Sequence, residues 1–209
     1  MKQLLKELIN EKAPGPSPSF SVVHLVKALD LIAKSPIGRT RLAKELFLGE
    51  GATRTLINRL KDNNLITVDR FGCFFSMKGK KLWNSLHEVL PRKMSLERSG
   101  LTLATFNTAL LVKGFSNKVR GGMEQRDAAL LVGAKGATTL TFKKGKLIFP
   151  VDDRDVSVDF PQVHRQIVDS LNPEENDVIV IGSADTLEKA EYGALAAALS
   201  LFNDIDINK

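Results

Sequence analysis

The sequence predicts an α+β protein in two parts. A basic, helix-rich first half ends in a short β-hairpin and a closing helix, and a second half forms a small mixed-sheet α/β sandwich. Three observations predict it. Apolar residues recur at helical spacing through most of the first 90 positions, then give way to alternating strand and helix patterns after residue 100. Charge divides the same way: residues 1–98 hold 18 Lys and Arg against 9 Asp and Glu, whereas residues 99–209 hold 12 against 15. Between them lies PRKMSLERSG (91–100), which reads as a connector and puts the boundary near residue 98, giving domains 1–98 and 99–209. A chain of 209 residues is long enough for each part to bury its own core.

Residues 2–11 read as an amphipathic helix with Leu4, Leu5, Leu8 and Ile9 on one face, and carry no signal-peptide pattern. APGPSPS (13–19) is a loop. From Phe20 to Lys34, Val22, Val23, Val26, Leu29 and Ile32 keep helical spacing until Pro36 and Gly38 stop it. A short helix over 39–47 buries Leu42, Ala43 and Leu46, LGEG (48–51) turns, and a further helix runs over 52–63. Leu65 to Asp69 alternates as a strand, Arg70-Phe71-Gly72 turns, and 73–76 returns as a second strand. Ser76 is placed to cap a last helix over 77–90.

That order is the order of a winged helix-turn-helix. LAKELFLGEGATRTLINRLKDNNLI (42–66) and FFSMKGKKLWNSL (74–86) resemble the winged helices of bacterial and archaeal transcription regulators, including those that begin the central glycolytic gene regulators. Leu56, Ile57 and Leu60 define the buried side of the third helix, so Arg54, Thr55, Asn58 and Lys61 point outward, while Thr53 turns inward. Arg suits guanine and Asn suits adenine in a major groove, and Thr or Lys suits phosphate or base edges. Arg39, Arg41 and Lys44 on the preceding helix, Arg59 on the flank, Arg70 at the hairpin tip, and Lys78, Lys80 and Lys81 at the start of the last helix would serve as phosphate contacts. Any one of them alone is more often a solvated charge; their convergence on one face is what points to double-stranded DNA.

In the second half the pattern predicts a strand over 108–115, a helix over 124–132, a hairpin of strands 138–142 and 147–151 around Lys143-Lys144-Gly145-Lys146, a helix over 160–171, a buried strand 177–182 and a last helix over 186–202. That is a four-stranded mixed sheet with three helices. VRGGMEQRDAALLVGAKGATTLTFKKGKLIFP (119–150) and VIVIGSADTLEKAEYGALAAAL (178–199) resemble a small uncharacterised domain found behind winged helices in archaeal regulators, which implies a regulator and no particular ligand. GSAD (182–185) is expected to end a strand and open a helix, and GAKGATT (133–139) to form a loop; either suits an anion. The candidate ligand residues are Arg120, Arg126, Asp127, Lys135, Gly136, Thr138, Ser183 and Asp185. The plainer reading stays open beside it: Gly133 as a helix C-cap, Gly136 as a turn residue, Ser183 or Asp185 as an N-cap, and Arg126-Asp127 as an ion pair.

No P-loop, nucleophile elbow or dinucleotide fingerprint occurs, and His24, His87 and His164 are scattered, so neither an enzyme, a cofactor nor a metal is expected. The Asp152, Asp153, Asp155, Asp159 run reads as a solvated loop, and the single Cys73 as structural. No apolar run is long enough for a bilayer span, and the chain is expected in the cytoplasm. The expected function is a dimeric, sequence-specific DNA-binding regulator controlled by a small anionic effector. The dimer is expected to form through the N-terminal helix or the alanine-rich helix YGALAAALSLF (192–202). Two alternatives stand beside it: a protein- or RNA-docking winged helix, and an enzyme that handles a phosphorylated small molecule.

Overall fold

The computed structural model describes residues 19–202 together with Leu5, Glu7 and Leu8. The chain divides into two compact units that part between His87 and Glu88. Among the described residues there are eight α-helices and two antiparallel sheets. No helix among them is long and apolar enough to cross a membrane.

In the first unit, α1 (Val22–Lys34) starts behind the N-cap Ser21 and buries Val22, Val23, Leu25, Val26, Leu29 and Ile32. Ser35 is extended, as the residue before a proline prefers, and ends the helix. α2 (Arg39–Glu45) and α3 (Glu50–Asp62) follow, each with a glycine at the N-cap, Gly38 and Gly49. β1 (Ile66–Asp69) pairs antiparallel with β2 (Gly72–Phe75), and Ser76 caps α4 (Met77–Val89) by accepting the Gly79 N–H at 3.1 Å. Leu42, Leu46, Leu56, Leu60, Leu65 and Leu86 fill the core between these elements. Of the helix expected over 2–11, Leu5, Glu7 and Leu8 have helical backbone and the other positions lie outside the described residues. Leu5 and Leu8 are fully buried, so these two side chains are not available to a dimer interface.

The second unit is built on one sheet in the order β3 (Lys93–Leu96), β4 (Phe106–Val112), β7 (Val178–Ala184), β5 (Gly136–Lys143), β6 (Lys146–Ile148). The expectation of four strands and a mixed sheet is corrected on both counts. The missing strand, β3, lies inside the stretch read as a connector and pairs with β4 from Lys93↔Leu110 to Leu96↔Asn107. Only Leu96 of its four residues is buried, so its alternation is too weak to read as a strand. Every pairing is antiparallel. The helical crossover from β4 through α5 (Met123–Leu131) to β5 does return a parallel strand, but β7 inserts between the two.

Helices cover both faces of this sheet, which is why all seven residues of β7 are buried. α6 (Val156–Asp159) and α7 (Pro161–Leu171) supply Val156, Ile167 and Leu171 to a cluster with Leu111, Leu140, Ile179 and Ile181. On the opposite face lie α5 and α8 (Leu187–Ser200). The expected β5–β6 hairpin forms, and its turn is tighter than expected: Lys143 pairs with Lys146, leaving Lys144 and Gly145, both left-handed, as the loop.

Candidate nucleic-acid interface

α3 is amphipathic by composition, and the fold uses it so. Leu56, Ile57, Leu60 and Thr53 are buried; Arg54, Thr55, Asn58 and Lys61 are exposed. Thr53 donates its hydroxyl to the Gly49 carbonyl at 3.1 Å, which satisfies it inside the core. Arg54 and Asn58, one helical turn apart, line a cleft of about 320 Å³ whose other side is the β1–β2 hairpin. Arg39 at the start of α2 and Arg70 at the hairpin tip line the same cleft, so three arginines, an asparagine and one acidic residue, Asp69, share its lining.

Two local devices hold the hairpin there. Ile37, in the loop between α1 and α2, bridges Cys73: its N–H donates to the Cys73 carbonyl at 3.2 Å, and the Cys73 N–H donates back at 2.9 Å. This close approach needs Gly72, which has φ +123° and where a Cβ would stand 2.5 Å from the Ile37 carbonyl carbon. At the tip, Asp69 accepts the Phe71 N–H at 2.7 Å, and the Arg70 guanidinium lies 4.7 Å from the centre of the Phe71 ring. Asp69, Phe71 and Val68 also line the cleft, and helix facing does not assign them to the site. The Asp-x-x-Gly pattern of 69–72 was the available signal, since an Asp that accepts from the backbone two residues on marks such a turn.

The other expected DNA contacts divide. Arg41 and Lys44 on α2 are exposed, as are Lys80 and Lys81 on α4. Arg39 lies 4.0 Å from Glu50 and Arg41 3.9 Å from Glu45, exposed pairs of little energetic weight. Thr55 is exposed, but its hydroxyl donates to the Gly51 carbonyl at 3.1 Å. Two more of them have partners within the chain. Arg59 turns to the structural side, donating to the Leu8 carbonyl at 2.9 Å with its guanidinium 5.2 Å from the centre of the Phe20 ring. Lys78 donates to the Asn63 carbonyl at 3.0 Å and so ties α4 to the C-terminal cap of α3. Helix facing cannot reveal either role, because both acceptors are main-chain carbonyls.

Cys73 is buried in the hairpin, and burial pushes its thiol pKa up. Folded protein is expected to resist a chromogenic thiol reagent at pH 8 and to react quickly once urea unfolds it. Fast reaction of the folded chain would contradict the burial.

In the second unit most of the expected anion residues have partners within the chain. Thr138 donates its hydroxyl to the Leu101 carbonyl at 2.8 Å, Ser183 accepts the Leu103 N–H at 3.1 Å, and Gly136 lies beneath the Leu103 side chain. Thus Gly136, Thr138 and Ser183 are brought together, around residues 101–103. GSAD does end β7, as expected, but Ser183 is fully buried within that strand and neither it nor Asp185 caps the helix; the N-cap of α8 is Thr186, which accepts the Lys189 N–H at 3.3 Å. Arg126 and Asp127 pair at 2.8 Å, and Lys135 pairs with Asp185 at 3.0 Å, all at the surface. Arg120 is exposed ahead of the left-handed Gly121 and Gly122. Of the acidic run, Asp155 pairs with Lys146 and caps α6; hydrogen bonds from Ser157, then Lys146, hold its carboxyl near pKa 2. Asp152 and Asp159 pair with Arg154. Among the described residues no group of three or more His, Cys, Asp or Glu side chains is arranged to hold a metal ion.

Residues 25–81 match the family model described as the PH0730-like, N-terminal domain, and residues 103–201 match a domain of unknown function, DUF4443. Among solved structures, the hypothetical protein PH0730 from Pyrococcus horikoshii OT3 is similar, with 30% sequence identity and a TM-score of 0.71. That similarity covers 90% of this chain and 96% of that one. A comparison with the curated proteins found no match. With this identity across nearly the whole of both chains, and a PH0730-like domain ahead of the DUF4443 domain, the chain belongs to the family of PH0730.

Proposed function

We propose that the first unit is a winged helix-turn-helix that binds duplex DNA, with α3 as the reading helix and the β1–β2 hairpin as the wing, and that the chain is a sequence-specific transcription regulator. The observation that carries this reading is the pairing of Arg54 and Asn58 on the exposed face of α3, in one cleft with Arg39 and Arg70. A bidentate donor for guanine and a donor–acceptor carboxamide for adenine stand one helical turn apart, flanked by cations for phosphate. The excess of basic residues before residue 98 supports the same reading.

The test is selection of bound fragments from a sheared genomic library, followed by anisotropy titration of the recovered site at several salt concentrations. A shared sequence bound about 1,000-fold or more above random DNA is expected. Arg54→Ala and Asn58→Ala are each expected to weaken that site by about 1–3 kcal/mol and to relax one base position. Arg70→Ala should weaken all sequences alike and lower the salt slope. Uniform weak binding that vanishes as salt rises would leave only charge and refute the proposal.

A second reading rests on the hairpin's exposed Val68, Phe71 and Phe74, an apolar surface that suits a protein partner. It predicts that Phe71→Ala abolishes partner binding while Arg54→Ala leaves it intact.

A further inference from the structure

One pole of the second unit carries an apolar patch ringed by balanced charge. Its floor is where β5 and β4 begin and β7 ends: Gly136 pairs with Ser183, and Phe106 with Ala184. At this end of the sheet stand Leu103, 56% exposed beside Gly136 and Ser183, and Phe106, 43% exposed on the strand itself. The last turn of α5, which feeds β5, adds Leu130 and Leu131 at 46% and 61%, and the first residue of α8, which leaves β7, adds Leu187 at 53%. Five large apolar side chains about half exposed at one end of a domain together expose on the order of 400 Å² of apolar surface. Nothing in the packing of the unit needs them outside, since the sheet is already covered on both faces.

The rim is made by Arg126 with Asp127 and Lys135 with Asp185, two cations and two anions. We infer that this pole is a twofold interface at which a second copy of the chain docks on the same patch. In an isologous contact each surface meets itself, so a rim of one sign would repel its own copy; a rim of two ion pairs has zero net charge and can exchange partners across the axis. The rest of the chain argues for the same occupant. The excess of basic residues in the first half, 18 against 9 through residue 98, opposes self-association there. Of the two surfaces the sequence offered, the described leucines of the first, Leu5 and Leu8, are buried, and α8 buries every residue from Tyr192 to Leu199. A stable dimer buries about 800 Å² per partner, so the apolar centre supplies about half and the ion-paired rim the remainder.

The inference does not depend on DNA binding and is tested on the full chain without DNA. Sedimentation equilibrium from about 1 to 100 μM is expected to show a reversible dimer for the wild type. Leu131→Asp and Leu187→Asp are each expected to raise its dissociation constant at least tenfold, with unchanged circular dichroism, because both side chains are exposed. Val158→Asp is the control: Val158 is also exposed, but it lies on α6, which packs against β6 rather than at this pole. It should leave the dimer intact. A wild type that stays monomeric throughout, or a dimer that both pole variants leave unchanged, overturns the assignment. So does loss of the dimer by Val158→Asp alone.

Discussion

Gly182→Ala is expected to destabilise the second unit by about 3 kcal/mol or more, the largest effect of any single methyl group added to it. Gly182 is in β7, the central strand, and faces α8. A Cβ there would overlap the Ala194 nitrogen and the Ala190 carbonyl oxygen, and would stand 2.9 Å from the Gly193 carbonyl carbon. All three are main-chain atoms, so no rotamer change makes room. The helix can only be lifted off the sheet, and α8 buries nine residues that depend on that distance. Overpacking of a core costs about 1–3 kcal/mol when flexible side chains can yield, so a clash with rigid backbone belongs at or above the top of that range. Urea denaturation followed by circular dichroism measures it. A loss below about 1 kcal/mol would mean that α8 is not seated on β7 at this distance.

This close seating also marks how far the sequence could be read. The alanine-rich run of 192–202 announced a helix that something approaches closely, but its composition could not say whether that was a sheet or a second subunit; Gly182 against Ala190 and Ala194 answers that it is the sheet. The elements of the first unit were legible because each is amphipathic at one period and punctuated by Pro36, Gly38, Gly49 and the turn at 70–72. In the second unit β3 escaped, since a strand buried at one residue in four carries no period, and strand direction escaped because local spacing does not record which strand inserts between two others. The site divides likewise. Arg54 and Asn58 follow from helix facing alone, but Arg59 and Lys78 bind main-chain carbonyls of Leu8 and Asn63, 51 and 15 residues away, which no residue pattern encodes. Thr138 and Ser183 looked like anion ligands for the same reason a loop docks on them: short hydroxyls satisfy whichever backbone group arrives.

The other large effect is a pH dependence located at His24. The ring is mostly buried in α1, and that burial lowers its pKa from 6.5 to about 4. Its Nδ1 accepts the Ser21 N–H at 3.1 Å, closing the reciprocal cap at the start of the helix, and only the neutral ring has a lone pair there. Between pH 6.5 and 4 the unfolded chain takes up a proton at this site that the folded chain refuses. The stabilisation is therefore complete above pH 6.5 and falls as pH drops, reaching a loss of about 3 kcal/mol at most below pH 4. His24→Gln separates this from the titration of the carboxylates. Glutamine at the third helical position can accept the same N–H and carries no titratable group. At pH 7 the variant is expected to lie within about 1 kcal/mol of wild type in urea unfolding of the first unit. At pH 4.5 it should be the more stable by about 2 kcal/mol, because it does not take up the proton that penalises wild type. Equal losses in the two proteins between pH 7 and 4.5 would show that His24 protonates as easily folded as unfolded, and that neither its burial nor the cap at Ser21 holds the ring neutral.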